Sequence, residues 1–194
     1  MKVTLDYGEV AFLLYKGECR RFRIGSGEGG RTELSDEDYA LIRDEVLLPR
    51  AKKRVLYYMK NADKTRARIR RKLAEGLYPE EVITAVMAFL DQYGFADDRR
   101  YAADYLAELK GTRSRREIEA KLMQRGIPAD GIRLQLETLT EEDEDRACAA
   151  ALTKKYPRGV PREERQKAYA HLARKGYSPD TIRRALGAAA EPEE

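Results

Sequence analysis

The stretch that decides the fold runs from Arg70 to Leu90 and reads RRKLAEGLYPEEVITAVMAFL. Two later stretches follow the same pattern: residues 119–139 read EAKLMQRGIPADGIRLQLETL, and residues 169–189 read YAHLARKGYSPDTIRRALGAA. Leu73, Leu122 and Leu172 are equivalent, 49 and then 50 residues apart. An internal repeat of this length is typical of proteins in which each unit buries its apolar face against the next.

Each repeated stretch has the features of two amphipathic helices joined by a tight turn. Gly126 and Gly176 stand where a helix ends on a left-handed residue, and Pro128 and Pro179 come at or near the start of the next helix. In the first stretch Gly76 is displaced by one position, which leaves the geometry of that turn open.

A further helix is predicted before each stretch, at residues 50–62, 97–110 and about 142–156. The sequence therefore predicts a protein that is all-α in the main, with three tandem three-helix repeats in an elongated curved array. We call these repeats one, two and three. The predicted divisions are an N-terminal hairpin and short helix at 1–49, the repeats at 50–96, 97–140 and 141–190, and an acidic tail at 191–194.

The N-terminal segment differs from the rest, because it favours β-structure. Val10 to Tyr15 and Cys19 to Ile24 resemble two strands separated by the turn Lys16-Gly17-Glu18, so a β-hairpin is predicted. Ser35 begins a sequence typical of a capping box, and the helix that it caps is expected to end near Leu48-Pro49.

Charge is distributed unevenly along the 194 residues. The whole chain carries 38 basic against 34 acidic residues, yet residues 50–76 hold eleven basic residues against only Asp63 and Glu75. Like charges lie one helical turn apart, as in Arg66 and Arg70, and such pairs destabilise an isolated helix. Clustered basic residues of this kind indicate an anionic partner, either phosphate or an acidic protein surface.

The predicted binding face follows the basic residues through all three repeats and is centred on Arg50, Arg54, Arg66 and Arg70. An acidic run at 137–145 is interpreted as a solvated helix face. Tyr57, Tyr58, Tyr101 and Tyr105 are expected to pack in the core rather than stack on bases. The full predicted face comprises Arg50, Lys53, Arg54, Arg66, Arg68, Arg70, Lys72, Arg113, Arg115, Arg116, Lys121, Arg125, Arg174, Lys175, Arg183 and Arg184.

No pattern of residues predicts catalysis, a metal or a cofactor. Gly25 to Gly30 contains G-x-G-x-x-G, but no helix opens at its last glycine, so a loop is expected. His171 is the sole histidine and aligns with lysines, and Asp97-Asp98 fits a helix start better than a metal site. No apolar stretch approaches the ~20 residues needed to span a membrane. A cytoplasmic location is expected. A monomer is also expected, because stacking of the repeats uses the apolar positions.

Several segments of the sequence resemble the RecX family. The resemblance is carried by LLPRAKKRVLYYM at 47–59, by the continuous segment at 68–105, and by the echoes KLMQRGIPADGI and HLARKGYSPDTI. Its most telling part is the junction at 93–101, which reads YGFADDRRY. The resemblance implies a non-enzymatic regulator that lies in the groove of the RecA filament on single- or double-stranded DNA and inhibits ATP hydrolysis and strand exchange.

The sequence also fits a second function. A helical protein that binds DNA without sequence preference, and without RecA as a dedicated partner, would need only the same basic face. A small hydrolase or nuclease is disfavoured, because one histidine and no clustered acids leave little to build a catalytic site.

Overall fold

The computed structural model describes residues 1–4, 11–25, 27 and 32–189. It divides into two compact units, Met1–Asp97 and Asp98–Glu194. The glycine-rich stretch, apart from Gly25 and Gly27, and the predicted acidic tail at 191–194 lie outside the described residues. Within the described ranges, no helix has the length and apolar character that crossing a membrane requires.

The first unit opens with a small antiparallel sheet of β1 (Lys2–Thr4) and β2 (Ala11–Leu13), followed by a short helix, α1 (Lys16–Arg21). A two-stranded element is thus present, but the predicted strand at Cys19 to Ile24 and the turn before it are wrong. Glu18 accepts a hydrogen bond from the Tyr15 N–H at 2.7 Å, which starts the helix, and Cys19 then faces the core.

The next helical stretch is continuous and consists of α2 (Asp36–Leu41), a π-helical segment (Ile42–Leu47) and α3 (Leu48–Met59). Ser35 caps it as predicted, accepting the Asp38 N–H at 3.1 Å. The predicted helix end near Leu48-Pro49 is wrong. The Leu48 N–H reaches back five residues to the Arg43 carbonyl, and this wider register lets the helix continue although Pro49 has no N–H to donate.

Repeat one is completed by α4 (Arg66–Glu75) and α5 (Glu80–Gln92). Its core is shared with the N-terminal segment, because Phe12 and Leu14 are buried in one cluster with Ile69, Leu73 and Leu90. Burying a side chain of this size stabilises by about 1.5–3 kcal/mol. The N-terminal segment is therefore part of the fold of the first unit.

The second unit contains the other two repeats. Repeat two is formed by α6 (Asp98–Leu109), α7 (Arg115–Gln124) and α8 (Ala129–Leu136). Repeat three is formed by α9 (Glu141–Lys155), a 3-10 turn (Arg162–Glu164), α10 (Arg165–Arg174) and α11 (Pro179–Ala188). Each repeat has its own apolar cluster, and the two are joined where the buried Ser114 hydroxyl donates to the Lys175 carbonyl at 2.5 Å.

The turn after the second helix has the same geometry in all three repeats. A left-handed residue stands at Leu77 (φ 54°), Gly126 (φ 77°) and Gly176 (φ 89°). The next residue's N–H then reaches back to the repeat leucine, in the bonds Tyr78 to Leu73 (3.2 Å), Ile127 to Leu122 (3.2 Å) and Tyr177 to Leu172 (3.4 Å). The displacement of Gly76 therefore leaves the turn unchanged, and Leu77 adopts the strained conformation instead.

Candidate functional site

Arg50, one of the four residues at the centre of the predicted face, holds the N-terminal segment against α3. Its guanidinium lies 3.1 Å from the Glu18 carboxylate, donates to the Leu13 carbonyl at 2.5 Å and stacks over the Tyr15 ring at 4.9 Å. Because Arg50 is half-buried among these partners, the structure gives it an internal role.

Two more of the four central residues are paired within the repeat. Arg66 contacts Asp91 and Arg70 contacts Glu80, so both arginines join α4 to α5. Lys72 lies 3.7 Å from Glu75. The like charges of Arg66 and Arg70, one turn apart in the sequence, are thus compensated by acids of the neighbouring helix, and their repulsion does not require an external anion.

Lys53, Arg54 and Arg68 differ from these residues. None of the three has an acidic partner among the residues that the structure describes, and Lys53 and Arg54 are exposed on α3. The stretch from Pro49 to Ala62 contains no acidic residue at all. Positive potential on α3 is therefore not cancelled along its own helix, and within repeat one this part of the predicted face is open to an anionic partner.

The outer side of α3 also carries apolar side chains. Lys53, Leu56, Tyr57 and Lys60 follow the spacing i, i+3, i+4, i+7, which places them on one face, and we call this set the α3 stripe. It lies opposite the buried side of the helix. Tyr57 is 79% exposed and Leu56 is 42% exposed, so the expectation that Tyr57 packs in the core is wrong.

The position of Tyr57 could have been found from the sequence. Ala51 and Val55 define the buried side of α3, and Tyr57 follows Val55 by two residues, which is about 200° around a helix. Tyr58 is half-buried, with Lys64 and Lys72 above its ring. Grouping the two tyrosines as one apolar pair hid the difference between them.

In the second unit, several predicted basic residues hold repeats two and three together. Arg115 donates to the Leu136 carbonyl at 2.7 Å, and its backbone N–H donates to Glu144 at 2.6 Å. Lys175 lies 3.5 Å from Glu117. The contacts of Arg115 with Glu144 and of Lys175 with Glu117 cross from one repeat to the other, whereas the bond to Leu136 lies within repeat two. Both basic residues therefore have a role within the fold.

The remaining predicted residues of the second unit fall into two groups. Arg113, Arg125, Arg183 and Arg184 have internal partners, respectively Glu117, the Tyr101 hydroxyl, Asp180 and Asp145. Arg116, Lys121 and Arg174 have no acidic partner in the described part of the chain; Arg174 donates to the Ala170 carbonyl of its own helix at 3.3 Å. The Arg125 guanidinium also covers the Tyr105 ring at 3.8 Å, so Tyr101 and Tyr105 are not available for stacking.

The acidic run is only partly a solvated face. Glu141 and Glu142 are exposed, but Asp143 is buried and accepts bonds from the Thr140 N–H at 3.1 Å and from Lys110 at 3.0 Å, and it contacts Arg146. The Thr140 N–H foremost, and Lys110 after it, hold the pKa of the Asp143 carboxyl at about 2. The solvated interpretation is wrong for Asp143, which caps α9 and ties it to repeat two.

Burial changes the acidity of two groups that could carry chemistry, the Cys148 thiol and the His171 imidazole. Burial raises the pKa of the Cys148 thiol to about 11, which keeps it protonated and unreactive. Partial burial and then the nearby Lys155 and Lys175 lower the pKa of His171. Among the described residues, no three histidine, cysteine or acidic side chains group in a way that could hold a metal ion.

Comparisons with known proteins assign this arrangement to a family. Residues 51–90 match the first three-helix domain of RecX, and residues 141–186 match the third. The regulatory protein RecX of Thermobifida fusca (strain YX) is 31% identical over 139 residues, covering 69% of this chain and 75% of that protein. The regulatory protein RecX of Clostridium botulinum (strain Alaska E43 / Type E3) is 32% identical over 126 residues, covering 62% of this chain.

The chain spans 59% of the length of that Clostridium relative. A crystal structure of regulatory protein RecX agrees with the present one over 96% of this chain and 92% of that chain, with a TM-score of 0.67 and 27% identity. Family, helical architecture and the order of the three-helix domains all agree, and the chain belongs to the RecX family of regulatory proteins.

Proposed function

We propose that the chain binds the RecA filament on DNA and inhibits the ATP hydrolysis and strand exchange of RecA, without catalysing a reaction itself. Membership of the RecX family supports a regulatory role. The observation that carries the proposal is the uncompensated charge of α3, where Lys53 and Arg54 are exposed on a helix without an acidic residue. RecA and DNA as partners, the cytoplasmic location and a monomeric state are parts of this proposal.

The binding face that we propose is narrower than the one predicted from the sequence. It is centred on Lys53, Arg54 and Arg68, because Arg50, Arg66 and Arg70 make contacts within the fold. A cation that already pairs with a carboxylate contributes little attraction at a distance, since the two charges largely cancel. The basic residues without an acidic partner therefore contribute most of the attraction between the chain and an anionic filament.

The first experiment measures the ATPase rate of the cognate RecA on single-stranded DNA as the chain is added at well below one molecule per RecA. We expect the rate to fall at these low ratios, because a filament regulator acts on many RecA subunits from one position. If the rate falls only when the chain saturates the DNA, the chain competes for DNA and the alternative of a nonspecific DNA-binding protein is favoured.

A matched pair of variants tests the face itself. Charge reversal of Lys53, Arg54 and Arg68 to glutamate is expected to reduce inhibition about tenfold and to make it less sensitive to salt. The control reverses three basic residues of repeat three that are exposed and have no acidic partner within the described ranges: Lys154, Arg158 and Arg162. Equal effects of the two triple variants would show that only the total charge matters and would contradict the proposed face.

A further inference from the structure

The α3 stripe has an apolar centre that the proposed function does not explain. A helix that serves only to attract phosphate needs basic side chains, yet α3 places Leu56 and Tyr57 between Lys53 and Lys60 on its outermost side. Because they stay exposed, these two side chains gain little burial free energy within the fold, and their apolar surface remains available to a partner.

The ring of Tyr57 also differs from five other aromatic rings of the chain, each of which is covered by a cationic side chain. Cations lie over the rings of Tyr15, Tyr58, Phe89, Tyr105 and Tyr156 at 3.8–5.3 Å. For Tyr57, the described residues provide neither a cation nor a ring contact. Its aromatic surface is therefore open to a partner molecule.

We propose that the α3 stripe is a protein-docking element, in which Leu56 and Tyr57 insert into an apolar depression on the RecA filament and Lys53 and Lys60 meet carboxylates at its edge. This inference rests on the proposed function and adds to it the part of the partner that the stripe contacts. The i, i+3, i+4, i+7 spacing is that of a helix that docks in a groove through one face.

The choice of protein over nucleic acid as the occupant follows from the chemistry of the pair. A tyrosine alone could stack on an unpaired base, but an adjacent leucine has no flat face to stack and gains nothing from phosphate. A leucine and a tyrosine both gain from a desolvated pocket, where tyrosine is among the residues that contribute most binding free energy. Lysines at the two ends of the pair provide charge complementarity to an acidic rim.

The test compares two double variants, each of which removes one leucine and one tyrosine side chain. The first is Leu56→Ala with Tyr57→Ala. The control is Leu134→Ala with Tyr169→Ala, which removes a leucine that is 49% exposed and a tyrosine that is 37% exposed from helices of the second unit. Circular dichroism and thermal unfolding check that both variants fold like the unchanged chain, which we expect because all four side chains are on the surface.

Two measurements are made on each protein. One is the concentration that halves the ATPase rate of the cognate RecA on single-stranded DNA, and the other is the affinity for a fluorescent oligothymidine in the absence of RecA. The proposal predicts that the α3 double variant needs at least about ten times more protein to inhibit. Its affinity for oligothymidine is expected to change less than twofold, and the control double variant is expected to inhibit like the unchanged chain. Tyr57→Phe, which keeps the ring, is expected to inhibit almost normally.

Each other result overturns the proposal in a distinguishable way. A parallel loss of oligothymidine binding would assign the stripe to nucleic acid. Unchanged inhibition by the α3 double variant, while the unchanged chain inhibits, would show that the stripe does not dock although the proposed function holds. Absence of inhibition by the unchanged chain would overturn the proposed function, and the docking partner with it.

Discussion

Repeat one and repeat three have equivalent helices but use their side chains differently. In repeat three, α9 starts with the capping residue Thr140 and buries the acid Asp143, and the apolar residues that it exposes are alanines, Ala149 and Ala150. In repeat one, α3 continues from a π-helical segment without a cap and exposes Leu56 and Tyr57. The two repeats thus pack their helices alike but differ in the exposed faces of α3 and α9. The exposed leucine and tyrosine of α3 indicate that repeat one is the repeat that contacts a partner.

The two repeats also differ in how they make the same turn. The left-handed residue is Leu77 in repeat one and Gly176 in repeat three. For a side-chain-bearing residue, this conformation costs roughly 1–2 kcal/mol. Leu77 is half-buried and lines a small cleft with Leu13 and Leu47, so repeat one has space for its side chain. No such space exists in repeat three, where a Cβ on Gly176 would stand 2.7 Å from the Cβ of Arg116.

The largest effect is therefore expected from exchanging these turn residues. Gly176→Leu should reduce the free energy of unfolding by about 3 kcal/mol, since backbone strain adds to the collision with Arg116. Leu77→Gly should change it by less than about 1 kcal/mol, because relief of backbone strain and loss of the partial burial of Leu77 oppose each other. Urea unfolding followed by circular dichroism measures both. Similar losses for the two variants would show that the turns are energetically alike and would remove this contrast between the repeats.

The next effect concerns the acid at the start of α9. The pKa of Asp143 in the folded protein, about 2, is below its usual value of 3.8. Asp143 therefore stabilises the fold at pH values above about 4, and this contribution is lost as the pH falls from about 4 to about 2. We expect the urea midpoint to drop over this range, and to drop less in Asp143→Asn, which is already destabilised at neutral pH. Asp130→Asn, at an exposed position in the first turn of α8, serves as the control and should leave the pH profile unchanged.

The smallest effect is expected at the start of the second helix. Thr65 in repeat one is buried, and its hydroxyl accepts the Arg68 N–H at 3.3 Å, whereas the equivalent Glu164 in repeat three makes no such side-chain bond. Thr65→Ala should lower the free energy of unfolding by about 1 kcal/mol, and Glu164→Ala by less than about 0.5 kcal/mol. The comparison is made by urea unfolding at pH 7. A larger loss for Glu164→Ala would mean that repeat three has a cap that its geometry does not reveal.

Some features were predictable because they depend on residues close together in the chain. Helical periodicity located the helices of all three repeats to within a few residues, and the repeat leucines marked the turns. Ser35 was recognised as a helix cap from its neighbours alone. Patterns of this kind act over one or two helical turns, so the sequence carries them directly.

Other features depended on residues that are distant in sequence. Cys19 to Ile24 has the alternation of a strand, but burial of Cys19 and pairing of Glu18 with Arg50, 32 residues away, select a short helix. The charge cluster of repeat one was visible in the sequence, but which cations are free was not, because Glu18, Glu80 and Asp91 reach their partners only in the folded chain.

The sequence by itself thus determined the repeat, the helices and the family, since these follow from local periodicity and from the order of motifs. Only the tertiary structure decided that Leu77 takes the left-handed position, that Asp143 is buried, and that Lys53 and Arg54 have no acidic partner among the described residues. The physical reason is that strain, burial and ion pairing are decided by which surfaces meet, and in a chain that is rich in both charges many pairings are compatible with one sequence pattern.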